Sequence, residues 1–191
     1  YRPTEAVKIN VHANYELCTQ DAFPYYLESV PDDDSFKAQL TQDIGKISSN
    51  DDNLYLRHLL NLGMKAEHNW ARVTLSNVLS FQLLNDDLSM DQDFTHLSLG
   101  TLQQQQHGRT LSEEIVVKSR PRAWRRWEWS TGVSFYSQWI HTWVNDIEHY
   151  NTPTKNSALF HQSTLCDIFN AKGLDLTLGL RAEYEHVGFI S

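Results

Sequence analysis

Long hydrophobic runs are missing from this chain, and no stretch approaches the ~20 apolar residues of a membrane-crossing helix. Cysteine is scarce. Cys18 and Cys166 are the only two in 191 residues; they offer neither a disulfide framework nor metal-ligand spacing. Basic residues are few, 16 against 24 acidic ones, for a net charge of -8. A nucleic-acid partner needs a surplus of Lys and Arg to meet phosphates, so this balance argues against one. The single basic cluster, "KSRPRAWRR" from Lys118 to Arg126, is short, interrupted by Pro121, and reads as a solvated turn. The opening "YRPTEAVKIN" lacks the charged-then-apolar pattern of a signal peptide.

Catalytic and metal signatures are absent too. The nine histidines include no H-E-x-x-H pattern and no paired-ligand spacing. "GVSFY" at Gly132 lacks the second glycine of a nucleophile elbow, and "GKI" at Gly45 lacks the rest of a phosphate loop. Asp87, Ser89, Asp91 and Asp93 alternate as at the start of a calcium loop. However, Gln92 stands where the turn glycine belongs, and the closing glutamate is missing. The sequence is not read as an enzyme, and no cofactor is expected.

What the chain does have is aromatic side chains, 12% of residues with six Trp, and a dominant period of two, the strand signature. "AVKINVHANYEL" sets Val7, Ile9, Val11, Ala13, Tyr15 and Leu17 against Lys8, Asn10, His12, Asn14 and Glu16. "ARVTLSNVLSFQLL" aligns Val73, Leu75, Leu79, Phe81 and Leu83, with Asn77 as the flaw. In "RRWEWSTGVSFYSQWIHTWV" one face carries Trp127, Trp129, Val133, Phe135, Trp139 and Trp143, and the other is mostly small or polar. "LDLTLGLRAEYEHV" puts Leu176, Leu178 and Leu180 opposite Thr177, Gly179 and Arg181. About seven strands are expected, several longer than the ~5–6 residues usual in a soluble sheet. The run Gln103 to Gln106 sits in a long fourth strand and is expected to lie where both faces are wet.

The connections read as alternately long and short. A polar stretch to about Asn53, then "NDDLSMDQDFTH" and "NDIEHYNTPTKN", are the long links; the turn at His68–Asn69, "RPRAW" and "NAKG" are the short ones. Strands joined by short turns are antiparallel neighbours, so the alternation gathers long loops at one end. An outer-membrane barrel is built this way, with lipid against one face and a polar lumen against the other. Trp127 and Trp129 at one end and Trp139 and Trp143 at the other suit the aromatic girdles. About ten residues at ~3.3 Å rise and a tilt near 40° cover about 25 Å, the height of the apolar band. The lipid-facing set is therefore Trp127, Trp129, Val133, Phe135, Trp139, Trp143, Leu176, Leu178 and Leu180.

"TLSEEIVVKSRPRAWRRWEWSTGVSFYSQW" resembles a recurring strand pair of TonB-dependent outer-membrane receptors at Ser112, Glu114, Ile115, Val117 and Ser119, then Trp127, Trp129, Gly132, Phe135 and Tyr136. "LDLTLGLRAEYEH" is similar to another of their strands at Leu176, Thr177, Gly179, Leu180, Arg181, Tyr184 and Glu185. "VTLSNVLSFQLLNDD" and "YRPTEAVKINVHANYE" also resemble strands of the family. The resemblance implies an all-β, antiparallel up-and-down transmembrane barrel segment, incomplete beside the family's barrel of about twenty-two strands, and spanning residues 1–191. It implies residence in the outer membrane of a Gram-negative bacterium, in contact with lipid. It implies import of a scarce small-molecule or oligosaccharide cargo, energised by TonB through a plug region not visible here. The chain is accordingly expected to be an excerpt or truncated product. Acidic residues of the long links are the candidate cargo contacts: Asp32, Asp33, Asp34, Asp51, Asp52, Asp86, Asp87, Asp91 and Asp93. Two other readings stay open, a soluble antiparallel β binding module with the tryptophan face as core or ligand platform, and a passive porin-type barrel.

Overall fold

A computed structural model describes residues 1–21, 23–121 and 123–191. The alternation seen in the sequence becomes one antiparallel sheet of seven strands, joined in chain order without a crossover. The strands are β1 (Val7–Gln20), β2 (Leu54–Asn69), β3 (Val73–Asp91), β4 (Thr101–Ser119), β5 (Trp127–Val144), β6 (Glu148–Leu165) and β7 (Leu176–Val187). The remaining regular structure is one helical turn, α1 (Lys37–Leu40), with short 3-10 turns at Thr41–Asp43 and Ile168–Asn170. The fold is all-β, and the sheet is not closed into a barrel. We call the end where β1 finishes the rim and the opposite end the foot.

Registry keeps the apolar parity in phase across all seven strands. The line of partners from Val7 passes through His68, Leu75, Val117, Thr131 and His161 to Leu180. Two residues higher it joins Ile9, Ala66, Asn77, Ile115, Val133, Leu159 and Ala182. A slip of one residue in any pair would turn a strand's apolar set to the other face; no pair slips. The line that starts at the foot of β1 ends inside β7, above its first residue Leu176, so the strands are staggered as tilted barrel staves are.

Three boundaries differ from the sequence reading. Strand β6 begins at Glu148, so most of the link expected over residues 145–156 is strand, and the rim turn there is only residues 145–147. Asn145 and Asp146 both take positive φ (52° and 54°), which these two residue types tolerate and which suits a tight hairpin. Pro153 lies one residue rimward of Thr154, the last partner of β7. Its carbonyl accepts from Gly188 N at 2.8 Å, and Asn151 and Ile190 exchange bonds of 2.7 and 3.0 Å beyond it, so pairing continues past Pro153 and lacks only the bond its missing N–H would make. Strand β3 continues to Asp91, which leaves residues 92–100 as the β3–β4 loop, and the foot connection 166–175 is longer than the expected "NAKG" turn. Only the first rim loop, residues 21–53, is therefore longer than every foot connection.

The sheet has no second layer among the described residues. Among the described residues the buried hydrophobic side chains are Leu40, in α1, and Ala158, on the polar face. Soluble domains bury an apolar sheet face against another element; here that face is bare.

Candidate functional site

The site is the wall itself, its two faces and the loops above it. On the polar face, Arg57 Nε and a terminal nitrogen donate to both oxygens of Asp86 at 3.0 and 3.1 Å, with the guanidinium 5.4 Å from the Tyr55 ring centre. Gln82 donates to Asn61 at 2.7 Å, and Gln138 donates to Thr110 at 3.3 Å. Toward β7, Arg181 Nε and Asn156 Nδ2 both donate to Glu183, at 2.9 and 2.6 Å. Ser112, Glu114, Ser134, Tyr136, Asn156 and Arg181 line an open hollow of about 480 Å³. These groups offer hydrogen bonds to water or to a hydroxylated solute.

Glycines on this face make room for large neighbours. A Cβ at Gly132 would overlap the Phe160 ring on the paired strand, and one at Gly63 would overlap the His12 imidazole. Burial differs between the faces at adjacent residues, Ala158 being 6% exposed and Leu159 56%. A sheet curved with its polar side inward crowds one set of side chains and spreads the other in this way.

On the apolar face all nine residues assigned to lipid lie in one phase. Trp127, Trp129, Val133, Phe135, Trp139 and Trp143 follow each other along β5, and Leu176, Leu178 and Leu180 along β7. Leu178 is 68% exposed and Leu180 81%. Polar exceptions occur within the band: Asn77 Nδ2 donates to Glu113 Oε1 at 2.8 Å, so the flaw noted at Asn77 has a partner on the neighbouring strand. Near the rim His107, His141 and His149 gather around Trp143, with ring centres of His141 and Trp143 at 3.8 Å. Among the described residues, no group of three His, Cys, Asp or Glu is arranged to hold a metal ion.

The nine acidic candidates scatter into different roles. Asp32 pairs with Lys37, Asp34 caps Phe36 N at 2.7 Å, and Asp33 and Asp52 are exposed. Asp86, Asp87 and Asp91 lie in β3 rather than in a loop, because that strand runs on past its apolar portion. Asp86 is occupied by Arg57. Asp91 is fully buried and accepts from Asn50 N, Asp93 N and Phe94 N at 3.2, 3.0 and 3.1 Å. Asp93 in turn accepts from Thr95 N and Leu99 N at 3.0 and 3.1 Å. Thr101 donates to Asp51, and Asn53 accepts from Asp91 N at 2.9 Å. Carboxylates thus shape the rim as well as decorate it.

Sequence reading missed how these contacts join loop 21–53 to loop 92–100. His96 Nδ1 meets Asp43 Oδ2 at 2.7 Å, and the Tyr25 and Phe94 rings stand 5.2 Å apart. Burial pushes the Asp43 carboxyl up, but hydrogen bonds from His96 and Ser48 outweigh it and hold it below the ordinary 3.8. The usable signal was "DQDFTH", where Asp side chains can bond N–H groups two or three residues on.

Comparison with protein-family models, with curated proteins and with solved structures gives no match to this chain.

Proposed function

We propose that the chain is a stretch of wall from an outer-membrane β-barrel that imports a scarce nutrient, of the TonB-dependent receptor kind. The supporting observation is the sheet's single layer, whose apolar side is in phase over seven strands and uncovered. A contiguous apolar surface of this extent is a liability in water and the normal state of a lipid-facing wall. In hydrocarbon the free edges of β1 and β7 must be paired, because every unpaired N–H or C=O there costs several kcal/mol. Further strands completing a closed wall would satisfy them. The polar face then lines the lumen, the rim loops meet cargo, and energy reaches the site through a plug and TonB. No bond is made or broken in this reading.

A soluble binding module would need a layer over the tryptophan face, and the absence of one among the described residues weighs against that alternative. Trypsin treatment of the closed barrel that carries this stretch, folded into phosphatidylcholine vesicles, tests the wall. Cleavage after Lys37 and Lys46 in the first rim loop, with Lys65 and Arg109 protected, is the expected pattern. Equal cutting at all four, or a chain that stays monomeric in buffer and ignores vesicles, would refute it. Uptake by cells carrying the intact protein then separates receptor from porin: receptor import stops when TonB is removed, and passive import continues.

A further inference from the structure

Two cations stand on the apolar face without an anion. Arg109 and Lys155 are exposed on the same phase as Leu111, Trp139 and Leu159, and neither enters an ion pair or a cation–π contact among the described residues. By contrast, three foot arginines are engaged: Arg120 bonds Trp70 O, Arg126 bonds Asp167 O and Asn170, and Arg72 lies over Trp124. The two free cations are also not scattered. Arg109 is paired in register with Trp139, and Lys155 with Ser137, the next residue of that face along β5. Two strand spacings and a two-residue offset put their Cα atoms about 12 Å apart, a gap both long side chains can bridge to one group.

Their height on the wall is equally specific. On β4 this phase reads Val117, Ile115, Glu113 (held by Asn77) and Leu111, then gives way at Arg109 to His107 and Gln105; on β6 Leu159 and Ser157 give way at Lys155. This is the rim-side boundary of the band. Trp139 marks it as an interfacial tryptophan should, its indole N–H donating rimward to Asn151 Oδ1 at 3.2 Å. His107, Arg109, Trp139, His141 and Trp143 line a shallow hollow of about 250 Å³ on this face. Nε2 of His141 is shielded from solvent and has no hydrogen-bond partner among the described residues.

We propose that Arg109 and Lys155, astride Trp139, seat the anionic phosphomonoester headgroup of a rim-side lipid. The proposal rests on the membrane reading and adds a partner to it. Phosphate supplies the missing anion, and its oxygens accept from the guanidinium and ammonium. The lipid's acyl chains continue down over Phe135, Leu111 and Leu159.

The test uses the intact closed barrel that carries this stretch, folded into phosphatidylcholine vesicles containing a minor fraction of brominated phosphatidic acid, or the same fraction of brominated phosphatidylcholine. Bromine quenches nearby tryptophans, so the ratio of the two quenching curves reads enrichment of the anionic phosphomonoester lipid over the zwitterionic one at the wall. Each cation near an anionic lipid is worth about five-fold in partitioning. R109Q and K155Q should therefore each cut the enrichment by about that factor and together abolish it, whereas R126Q at the foot leaves it unchanged. Circular dichroism and the trypsin pattern establish that each variant is folded in the bilayer. Equal quenching by the two lipids in the unaltered, inserted chain overturns the seat and leaves the wall standing. So does enrichment that survives R109Q/K155Q. Failure of the unaltered closed barrel to insert in either vesicle overturns the wall itself.

Discussion

Arginine placed at different heights on one face distinguishes lipid from water more sharply than any single loss of stability. Val133 lies on the apolar phase between Ile115 and Leu159, midway between the girdle tryptophans Trp129 and Trp139. Arg at the bilayer midplane costs about 2–4 kcal/mol, falling to about 0–1 kcal/mol near the interfaces. V133R should thus lower the folded-to-unfolded ratio in vesicles by about 30- to 900-fold. Gln105 has the same phase on β4 but lies at rim height opposite Trp143, so Q105R should change stability by less than about 1 kcal/mol. Ser134, one residue from Val133, faces the polar hollow beside Glu114; S134R should fall within about 0.5 kcal/mol of the parent. Urea titration of tryptophan fluorescence in phosphatidylcholine vesicles gives all three values. If V133R costs no more than Q105R, or if S134R costs as much as V133R, hydrocarbon is not what surrounds this face.

Three further outcomes follow from particular contacts. Removing Asn77 leaves Glu113 without its partner, so N77L should destabilise by about 1–3 kcal/mol while the double variant N77L/E113L recovers most of the loss; the same urea titration reads both. A side chain at Gly132 would collide with Phe160, so G132V should cost about 1–3 kcal/mol as overpacking does, with F160A in the same chain restoring part of it. The lowered Asp43 carboxyl helps hold the first two rim loops together. Because its folded value lies below the ordinary 3.8, this contribution is complete above that pH and is lost as pH falls through the lowered value. Hydrogen exchange of residues 41–50, corrected for intrinsic rate, should rise on acidification below that range, and D43N should show the raised rate throughout.

How much of this was legible depended on whether one face of a strand met something apolar. In β1, β5 and β7 alternation runs nearly end to end, and the strands lie where Val7–Leu17, Trp127–Trp143 and Leu176–Leu180 put them. Strand β6 was readable only from about Ser157, because Glu148–Asn156 has polar residues on both faces and extends past the apolar band, where no alternation is imposed. Strand β3 hid its last turns for the same reason: Asn85, Asp86 and Asp87 look like a loop but are held by pairing with β4 and by Arg57. Arg109 and Lys155 escaped notice because a charge in a polar-looking segment attracts no attention until registry shows which face it shares. The rim contacts between His96 and Asp43, or Asn50 and Asp91, join residues distant in sequence and leave no local period. Pairing order was deducible from neighbouring hairpins; loop docking was not.

Spin labels on consecutive residues of β7 test the central claim most directly. Labels replacing Leu176, Leu178 and Leu180, and separately Thr177, Gly179 and Arg181, report collision with apolar oxygen and with a polar nickel chelate in vesicles. The account predicts oxygen-rich, chelate-poor collisions at the three leucine positions and the reverse at the other three, alternating residue by residue. Collision rates without that alternation, or leucine positions shielded from both reagents as in a protein core, would contradict it.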